Sequence, residues 1–575
     1  MISISKPLTA AKVASYYREE YTSATQSYYS LQGQLAGEWH GKLAGEFGLS
    51  GPVDEAAFTR LANGQHPESG EQLISHRDTI RTKAGEEIGH RAAWDLTFAP
   101  PKSVSQTALV GGDERVRQAH RDAVRVSLDA TEKYVQARLG GDQPAATTGK
   151  WVAALFEHDT ARPVDGYAAP QLHTHVVMFN MTSRDKIRSV DPKEIYRVQS
   201  MSTAIYRAEL AARLTDLGYE LEHRKAHSFE IKGYSQDYLD ADSARRQEIL
   251  KRMEQLGLSG AESAERVSHQ TRDKKQHISE DATRAMHQQM AKAFGDQPAK
   301  VVAEALTRQN DVSRDPSEST RAAHRALTFA KQRLIERTAV FDEYELVRDA
   351  LHHGLGVVRL TNTEAAFQQR RAQEKQEFRQ VSHYRETAPG ARYTTVEMIK
   401  LERETIATVR AGIGVSEPMV GKVAEKALTS HNSKLNRDQQ ALIQDVLQSA
   451  DRILGVQGGA GTGKTTAIAS IRELVENVGF QTKGLAPTSR AAKELRDVGL
   501  QAETIQRHLA KDARRQSGAP TVYFLDESSL ASTKHVHDFF SRLGEKDRVL
   551  LIGDTRQLNR SKRVEYLPSF KKLAW

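Results

Sequence analysis

The feature that most restricts the fold of this chain is a glycine-rich run between an apolar stretch and a helical one. Ile453–Val456 is apolar and Thr466–Val475 is typical of a helix. The residues between them match GxxxxGK[ST] at every position: Gly458, Gly459, Ala460, Gly461, Thr462, Gly463, Lys464 and Thr465. Such a loop holds phosphate through its backbone N–H groups and through the field of the helix that it opens. It therefore predicts a strand, a loop and a helix in a parallel α/β sheet.

The surrounding region, residues 431–558, alternates strand-like and helical stretches, which favours a parallel α/β sheet around the P-loop. We expect Lys464 to reach the β- and γ-phosphates of ATP, and the Thr465 hydroxyl to hold Mg²⁺. The strand-like run VYFLDE ends in Asp526, which suits the magnesium ion, and Glu527, which suits activation of water. An ordinary strand with an acidic end is the alternative for that run.

Residues from about 435 to 558 resemble the first motor half of a superfamily 1 helicase of the RecD-like type. The resemblance implies that Gln439 contacts the nucleotide base and that Gln557 in GDTRQL senses the γ-phosphate. It also implies that Thr488 and Ser489, in APTSRAAKEL, contact single-stranded DNA. Residues 559–575 form a basic tail of unassigned role. We expect the second RecA-like half to be absent, and hence ATP binding with little turnover and no unwinding by this chain alone.

The middle of the chain, residues 236–430, is rich in charge and predicts helices with solvated faces. We divide it into a helical extension, 236–319, and a helical amino-terminal part of the helicase region, 320–430. The predicted helices include SARRQEILKRMEQLGL and TEAAFQQRRAQEKQEFRQVSHYRE. Arg308–Ser319 is polar and contains Pro316, which favours a loop or hinge.

Composition excludes several classes of site. The chain has 575 residues and no cysteine, so disulfides, thiolate metal sites and cysteine nucleophiles are excluded. No apolar run approaches the roughly 18 residues of a spanning helix. The net charge of +8 leans weakly toward a polyanionic partner such as nucleic acid.

Within residues 1–235, short strands are predicted at Ala93–Phe98, Trp151–Phe156 and His175–Asn180. Strand alternation places His173 and His175 of QLHTHVVMF on one face, and His158 after WVAALFE is a candidate third ligand. Three neutral imidazoles suit a catalytic divalent metal with open positions. A surface His-x-His pair without metal is the alternative.

Asp95 and two tyrosine pairs complete the candidate chemistry. Alternation separates Asp95 from Trp94 and Leu96, so it can orient a metal-bound histidine or take a proton, unless it is a solvated edge acid. Thr9 is the expected cap of a helix from Ala10 whose apolar stripe includes Tyr17. Tyr17 is therefore the predicted packing residue. Tyr16, at the edge of the stripe, is the candidate nucleophile.

The first 235 residues resemble the relaxase domain of the MobF family of conjugative relaxases, the TraI/TrwC-like proteins. The matching segments, in order, are SYY…SYY, Trp39-His40-Gly41-Lys42, Gly48–Gly51, Asp95–Ser105, FEHDT and Pro170–Thr182. The resemblance implies an α+β domain of the HUH type, with an antiparallel sheet carrying the histidines and the Tyr16 helix facing it. The resemblance also implies that this domain is followed by the helical linker and by the α/β P-loop domain.

The same resemblance implies a role for each residue. Tyr16 would nick single-stranded origin-of-transfer DNA and form a 5′-phosphotyrosine link, and Tyr28 would act in strand transfer, with Tyr29 left open as its alternative. His158, His173 and His175 would hold Mg²⁺, Mn²⁺ or Zn²⁺, Asp95 would be a base or a histidine-orienting acid, and Lys102 would help to position phosphate.

Relaxosome proteins, a coupling protein and a type IV secretion system are the implied partners, with the protein in the cytoplasm of a bacterial donor cell or carried with DNA to the recipient. The competing hypotheses are an ATP-dependent DNA motor, and a non-catalytic DNA-binding remnant of a larger protein.

Overall fold

The computed structural model describes most of the chain in segments. These are residues 2–17, 37–74, 80–81, 87–88, 90–260, 263–264, 267, 280–309, 316–372, 377–381, 390–420, 435–457, 464–511, 519–553 and 572–574. They fall into two compact units. The first takes the described residues up to 330 together with 343–368, and the second takes 331–342 and nearly all described residues from 369 onward.

The first unit is built on a five-stranded sheet, here called the histidine sheet. Its strands, from one edge to the other, are Ile2–Ile4, Ala93–Phe98, Pro170–Phe179, Ala153–Thr160 and Glu38–His40. Every neighbouring pair is antiparallel. The register sets His158 opposite His173 and Phe156 opposite His175, as the α+β prediction requires.

One face of the histidine sheet is covered by three helices, Ala10–Tyr16, Lys42–Glu46 and Glu55–Ala62. The apolar cluster on this face joins Val13 and Tyr17 to Phe58, Phe156 and Phe179. Gly41 in the WHGK segment has φ +106°, and a Cβ there would lie 2.3 Å from the Trp151 ring. That segment therefore has a packing role.

The opposite face is covered by two long helices, Glu114–Glu132 and Lys193–Asp216. Trp94, Leu96 and Phe98 are at most 2% exposed, and the Phe98 ring lies 5.4 Å from that of Tyr206 in the second helix. The predicted alternation of Ala93–Phe98 is thus confirmed. The histidine sheet therefore lies between two layers of helices, with His158 buried and His173 and His175 half-buried.

The smaller elements of this unit surround the histidine sheet. The short strands are Ile80–Arg81, Glu87–Ile88, Gln136–Ala137, Ala146–Thr147, Thr182–Ser183, Ile187–Arg188, Val190–Asp191, Leu221–Arg224 and Ser228–Ile231. The helices are Lys102–Ser105, the π-helical turn Gln106–Val110, Gln236–Ala241, Ala244–Gln255, Glu280–Ala293, Gln297–Gln309, Pro316–Ile335 (which runs on into the second unit), Glu343–His353 and Leu360–Ala372.

The helical prediction for residues 236–430 is correct for most described residues, but a small antiparallel sheet interrupts the helices, and the described ends of the predicted loop Arg308–Ser319 are helical. Phe378–Val381 was expected inside a long helix, but it is a strand of a small antiparallel sheet with Arg392–Thr395 and Phe341–Asp342. Phe378 is 3% exposed and Tyr393 1%, so burial of these aromatic residues outweighs the helix preference of the charged run. Helix Val396–Ala411 follows.

The second unit contains a parallel sheet, here called the phosphate-loop sheet. Its described strands are ordered Ala502–Thr504, Gln481–Ala486, Thr521–Leu525, Arg548–Gly553, Ile453–Gln457 and Lys572–Ala574. Its helices are Arg437–Gln448, Lys464–Asn477, Ser489–Asp497, Ile505–Ala510 and Thr533–Phe540, with a 3₁₀ turn at Ser528–Leu530. The predicted parallel α/β domain is confirmed. Among the described residues, no helix is both long and apolar enough to cross a bilayer.

Candidate metal centre and phosphate-loop site

Three histidines converge on one face of the histidine sheet. The ring centroids of His158, His173 and His175 are 5.0–5.2 Å apart, and one nitrogen from each lies within 4.8 Å of the other two. His158 is 1% exposed, while the His175 side chain is 18% exposed. The predicted grouping of these residues is therefore present.

Neighbouring oxygen atoms orient two of the three rings. His175 Nδ1 lies 2.7 Å from Asp95 Oδ2 and 3.4 Å from Thr97 Oγ1, and His173 Nδ1 lies 2.9 Å from the Gln171 carbonyl oxygen. If Nδ1 carries the proton in both rings, the lone pair of each ring is on Nε2, an arrangement typical of histidine metal ligands. The expectation that Asp95 lies on the histidine side of its strand is met.

Ser5 is a further member of this site that the sequence pattern does not single out. Its Oγ accepts a hydrogen bond from the Asp95 N–H at 2.9 Å, and its own N–H donates to the Asp95 carbonyl at 2.9 Å. Ser5, which follows the edge strand Ile2–Ile4, thus holds both the N–H and the carbonyl group of Asp95. No local motif marks Ser5, because the contact depends on pairing with a residue 90 positions away.

Burial keeps His173 neutral. Desolvation, together with the nearby His175, lowers the pKa of His173 to about 4. At neutral pH its imidazole is therefore uncharged, which is the form that binds metal. Three imidazole nitrogen donors fit a divalent metal that keeps open positions for substrate oxygen.

The helix Ala10–Tyr16 lies on the face that carries the histidines. Thr9 caps it by accepting from the Lys12 N–H at 3.4 Å, as predicted. Tyr17 is 8% exposed, its ring lies 5.9 Å from that of Phe156, and its hydroxyl donates to the Val53 carbonyl. Burial raises the pKa of Tyr17, with a further contribution from Glu55. Tyr17 is thus the packing residue, as expected.

Tyr16 is the last residue of that helix. Phe156, which contacts the adjacent Tyr17, lies opposite His175 in the sheet. The backbone of Tyr16 is therefore carried on the metal-binding side of the sheet. The side chain of Tyr16, and Tyr28 and Tyr29 entirely, lie outside the described residues.

Lys102 is oriented toward protein groups. Its Nζ donates to the Pro170 carbonyl at 2.7 Å and lies 3.9 Å from Asp242 Oδ2. The side chain is 17% exposed, and burial lowers its pKa. This geometry favours Lys102 as a support for the start of the strand Pro170–Phe179 over a direct phosphate contact.

In the phosphate-loop sheet, Lys464 begins the helix that follows the loop. Burial raises the pKa of Asp526, and Lys464 opposes that shift. Glu527 has φ +47°, and its N–H donates to Asp526 Oδ1 at 2.8 Å, so the backbone turns sharply after the strand and presents both carboxylates there. Thr465 follows Lys464 in the same helix and is exposed.

The remaining predicted residues of this unit have local structural partners. Gln439 forms a reciprocal cap with Asn436, with distances of 3.0 and 2.8 Å. Thr488 caps Ser489–Asp497, and its hydroxyl lies 3.4 Å from Glu527 Oε2. Ser489 is exposed at the start of that helix. Gly458, Gly459, Ala460, Gly461, Thr462, Gly463 and Gln557 lie outside the described residues.

Comparison with known families matches two parts of the chain. Residues 10–294 match the TrwC relaxase family, and residues 434–568 match an AAA domain family. The multifunctional conjugation protein TraI of Escherichia coli is 34% identical over 309 residues, which cover 51% of this chain and 16% of TraI. The chain therefore spans only a small part of that relative.

Two further relatives match over shorter stretches. The probable conjugal transfer protein TraA of Sinorhizobium fredii is 32% identical over 174 residues (29% of this chain, 16% of TraA), and the ATP-dependent RecD2 DNA helicase of Deinococcus radiodurans is 32% identical over 170 residues (28% of this chain, 22% of the helicase). A solved structure of the conjugative relaxase TrwC with oriT DNA is 34% identical, with a TM-score of 0.45 and coverage of 51% of this chain and 99% of that one. By its TrwC relaxase region and its helicase-like AAA region, the chain belongs to the MobF family of relaxase–helicases.

Proposed function

We propose that this protein is a conjugative DNA relaxase that nicks one strand of origin-of-transfer DNA by metal-dependent tyrosine transesterification. The observation that carries the proposal is the convergence of three histidine side chains on the sheet face that also supports the tyrosine helix. Family membership and the conjugation proteins among its relatives support the same reaction.

In the proposed reaction, the Tyr16 phenolic oxygen attacks a scissile phosphorus. A bond forms between that oxygen and phosphorus, the bond to the 3′ oxygen breaks, and the DNA is released with a 3′ hydroxyl while its 5′ phosphate stays on Tyr16. Tyrosine is mostly protonated at neutral pH, so a base must accept its proton. Asp95 orients His175 and is the nearest described acid to that ring. Because the phosphodiester energy is conserved, the strand can be rejoined, and Tyr28 is proposed for that second step.

A divalent metal on His158, His173 and His175 would neutralise charge that develops on the phosphate oxygens. Imidazole nitrogen suits transition metals, whereas Mg²⁺ prefers oxygen ligands and dehydrates reluctantly. Among Mg²⁺, Mn²⁺ and Zn²⁺, the donor set therefore favours Mn²⁺ or Zn²⁺ over Mg²⁺.

The phosphate-loop sheet is proposed to bind ATP with Mg²⁺ through the loop 458–463, Lys464, Thr465 and Asp526. Glu527 would position the attacking water, Gln439 would contact the base and Gln557 the γ-phosphate. Thr488 and Ser489 would contact single-stranded DNA. The Thr488 hydroxyl lies near the Glu527 carboxylate, which supports the proposal that DNA contact at Thr488 affects the residue that positions water.

The partners are proposed from the conjugative relatives. They are single-stranded origin DNA, accessory relaxosome proteins, a coupling protein and a type IV secretion system. The reaction would take place in the cytoplasm of the donor cell, with subsequent transfer of the protein alongside the covalently held strand.

The test is a cleavage assay with single-stranded origin oligonucleotides and Mn²⁺. The wild-type protein should form a covalent adduct that survives denaturing gel electrophoresis, and Tyr16→Phe should abolish it while DNA binding persists. Tyr17→Phe is the matched control, since that hydroxyl is bonded to Val53 inside the apolar cluster. If Tyr16→Phe still forms the adduct, Tyr16 is not the nucleophile.

The second candidate is an ATP-dependent DNA motor without nicking activity, favoured by the parallel sheet and its helicase-like family match. It predicts ATP hydrolysis stimulated by single-stranded DNA and no adduct under any metal condition. The same oligonucleotides serve both assays, so the two proposals are distinguished directly.

A further inference from the structure

Behind the metal-binding face, the residues that alternate with the histidines are all buried. Glu157 and Asp159 flank His158 in their strand, and Thr174 lies between His173 and His175. Their exposures are 9%, 0% and 5%. Since neighbouring side chains of a strand point to opposite faces, these three lie on the face away from the metal centre.

One helix contacts all three of them. Arg117, His120 and Arg121 of Glu114–Glu132 are spaced i, i+3 and i+4, and so they share one helix face. Arg117 pairs with Glu157 at 3.0 Å and with Asp159 at 2.9 Å, and Arg121 pairs with Glu157 at 2.9 Å. Arg117 is only 2% exposed, so its two pairs are held away from water.

The third contact is a buried hydrogen-bond chain. His120 Nε2 lies 2.9 Å from Thr174 Oγ1, and His120 Nδ1 lies 2.8 Å from the Tyr206 hydroxyl. His120 and Tyr206 are both fully buried. These hydrogen bonds connect Thr174, which lies between two of the proposed metal ligands, to the helices Glu114–Glu132 and Lys193–Asp216.

The strand that carries His158 needs such support. Its pairing with Pro170–Phe179 shifts register between His158 and Thr160, so the ladder of backbone hydrogen bonds is irregular beside the ligand. A metal site requires its ligands to be held within roughly 0.5 Å of the productive geometry. Contacts on both sides of His158 supply that restraint.

We propose that Arg117, His120 and Arg121 are positioning residues for the metal centre, which set the spacing of the three histidine ligands from behind the sheet. The proposal rests on the proposed function, since it takes the histidines to bind metal. It differs from a purely stabilising role in one measurable way. A stabilising contact changes the melting temperature alone, whereas a positioning contact also changes metal affinity and ligand geometry.

Thr174 offers the mildest perturbation. Thr174→Val keeps the shape and removes the hydroxyl that faces His120, and Thr174→Ser keeps the hydroxyl. The assay is a Co²⁺ titration followed by visible absorption. We expect Thr174→Val to bind Co²⁺ about tenfold more weakly, which is the low end of the effect of removing a group that supports the metal ligands. We also expect its d–d absorption bands to differ from those of the wild type. Thr174→Ser should restore the wild-type affinity and spectrum.

Arg121→Met supplies the second variant, with Arg125→Met as its matched control. Arg125 is on the same helix but pairs with the exposed Glu38 at 2.6 Å. We expect weaker Co²⁺ binding and an altered spectrum only for Arg121→Met. If Thr174→Val and Arg121→Met lower the melting temperature but leave affinity and spectrum as in the wild type, the inference is wrong. If the wild-type protein itself binds no Co²⁺, the proposed metal centre is wrong, which is a separate result.

Discussion

Asp95→Asn removes one negative charge behind His175 and leaves the shape of the side chain almost unchanged. In the wild-type protein, Asp95 Oδ2 lies 2.7 Å from His175 Nδ1, and the Asp95 side chain is 13% exposed. A metal on the far side of the ring makes the Nδ1 proton more positive, which strengthens this hydrogen bond in the metal-bound state. The substitution should therefore weaken metal binding more than it weakens the fold.

The expected magnitude follows from this contact. Loss of a partner behind a metal-bound histidine costs about 10- to 100-fold in affinity, which corresponds to about 1.4–2.8 kcal/mol. Asparagine can still accept from Nδ1 through its Oδ1, so we expect about tenfold for Asp95→Asn. Asp95→Ala removes the carboxylate altogether, with Thr97 Oγ1 3.4 Å from His175 Nδ1, and should approach about 100-fold.

Isothermal titration with Mn²⁺ and with Co²⁺ measures these affinities. Asp185→Asn is the matched control, because that carboxylate is exposed and paired with Arg188 outside the site. Once metal binding by the wild-type protein is established, an unchanged metal affinity in both Asp95 variants would refute the role of Asp95 in orienting His175.

Three further results are expected. Lys464→Ala should abolish binding of a fluorescent ATP analogue and leave the covalent DNA adduct unchanged, since the reaction at the histidines needs no ATP; loss of both would contradict the separation of the two sites. Glu527→Gln should retain ATP binding and lose whatever DNA-stimulated hydrolysis the wild-type shows; unchanged hydrolysis would exclude Glu527 as the water-positioning residue. Burial lowers the pKa of His287 to about 4. Between about pH 6.5 and 4 the unfolded state therefore binds more protons than the folded state, so the free energy of unfolding should fall as pH falls. The contribution of this residue is up to about 1.4 kcal/mol per pH unit. His287→Gln should flatten that slope in urea unfolding curves, and an unchanged slope would show that His287 does not contribute to it.

Much of the histidine site could be predicted from local alternation. His173 and His175 share a face because they are two residues apart in a strand, and Asp95 separates from Trp94 and Leu96 for the same reason. The pairing of His158 with His173 and the order of the five strands depend on contacts between distant segments, and no local pattern states them. For those features the family resemblance was needed.

The strand that carries His158 shows why its end was predicted too early. The sequence predicts a strand-like run, WVAALFEH, that ends at His158, although Glu157, His158, Asp159 and Thr160 are all polar. The structure continues the strand to Thr160 with all four residues buried, because Arg117 and Arg121 neutralise the carboxylates from the neighbouring helix. The sequence shows that Arg117, His120 and Arg121 share one helix face. It does not show which strand this face contacts, so the spacing alone does not predict a role for them.

The central claim is that Tyr16 attacks DNA at a metal centre formed by three histidines. The most direct measurement is peptide mapping by mass spectrometry of the protein–DNA adduct formed with Mn²⁺, after nuclease trimming of the DNA. The account predicts a phosphorylated nucleotide remnant on Tyr16, absent when EDTA is present and absent in His173→Ala. A remnant on another residue, or an adduct that forms equally well with EDTA, would contradict it.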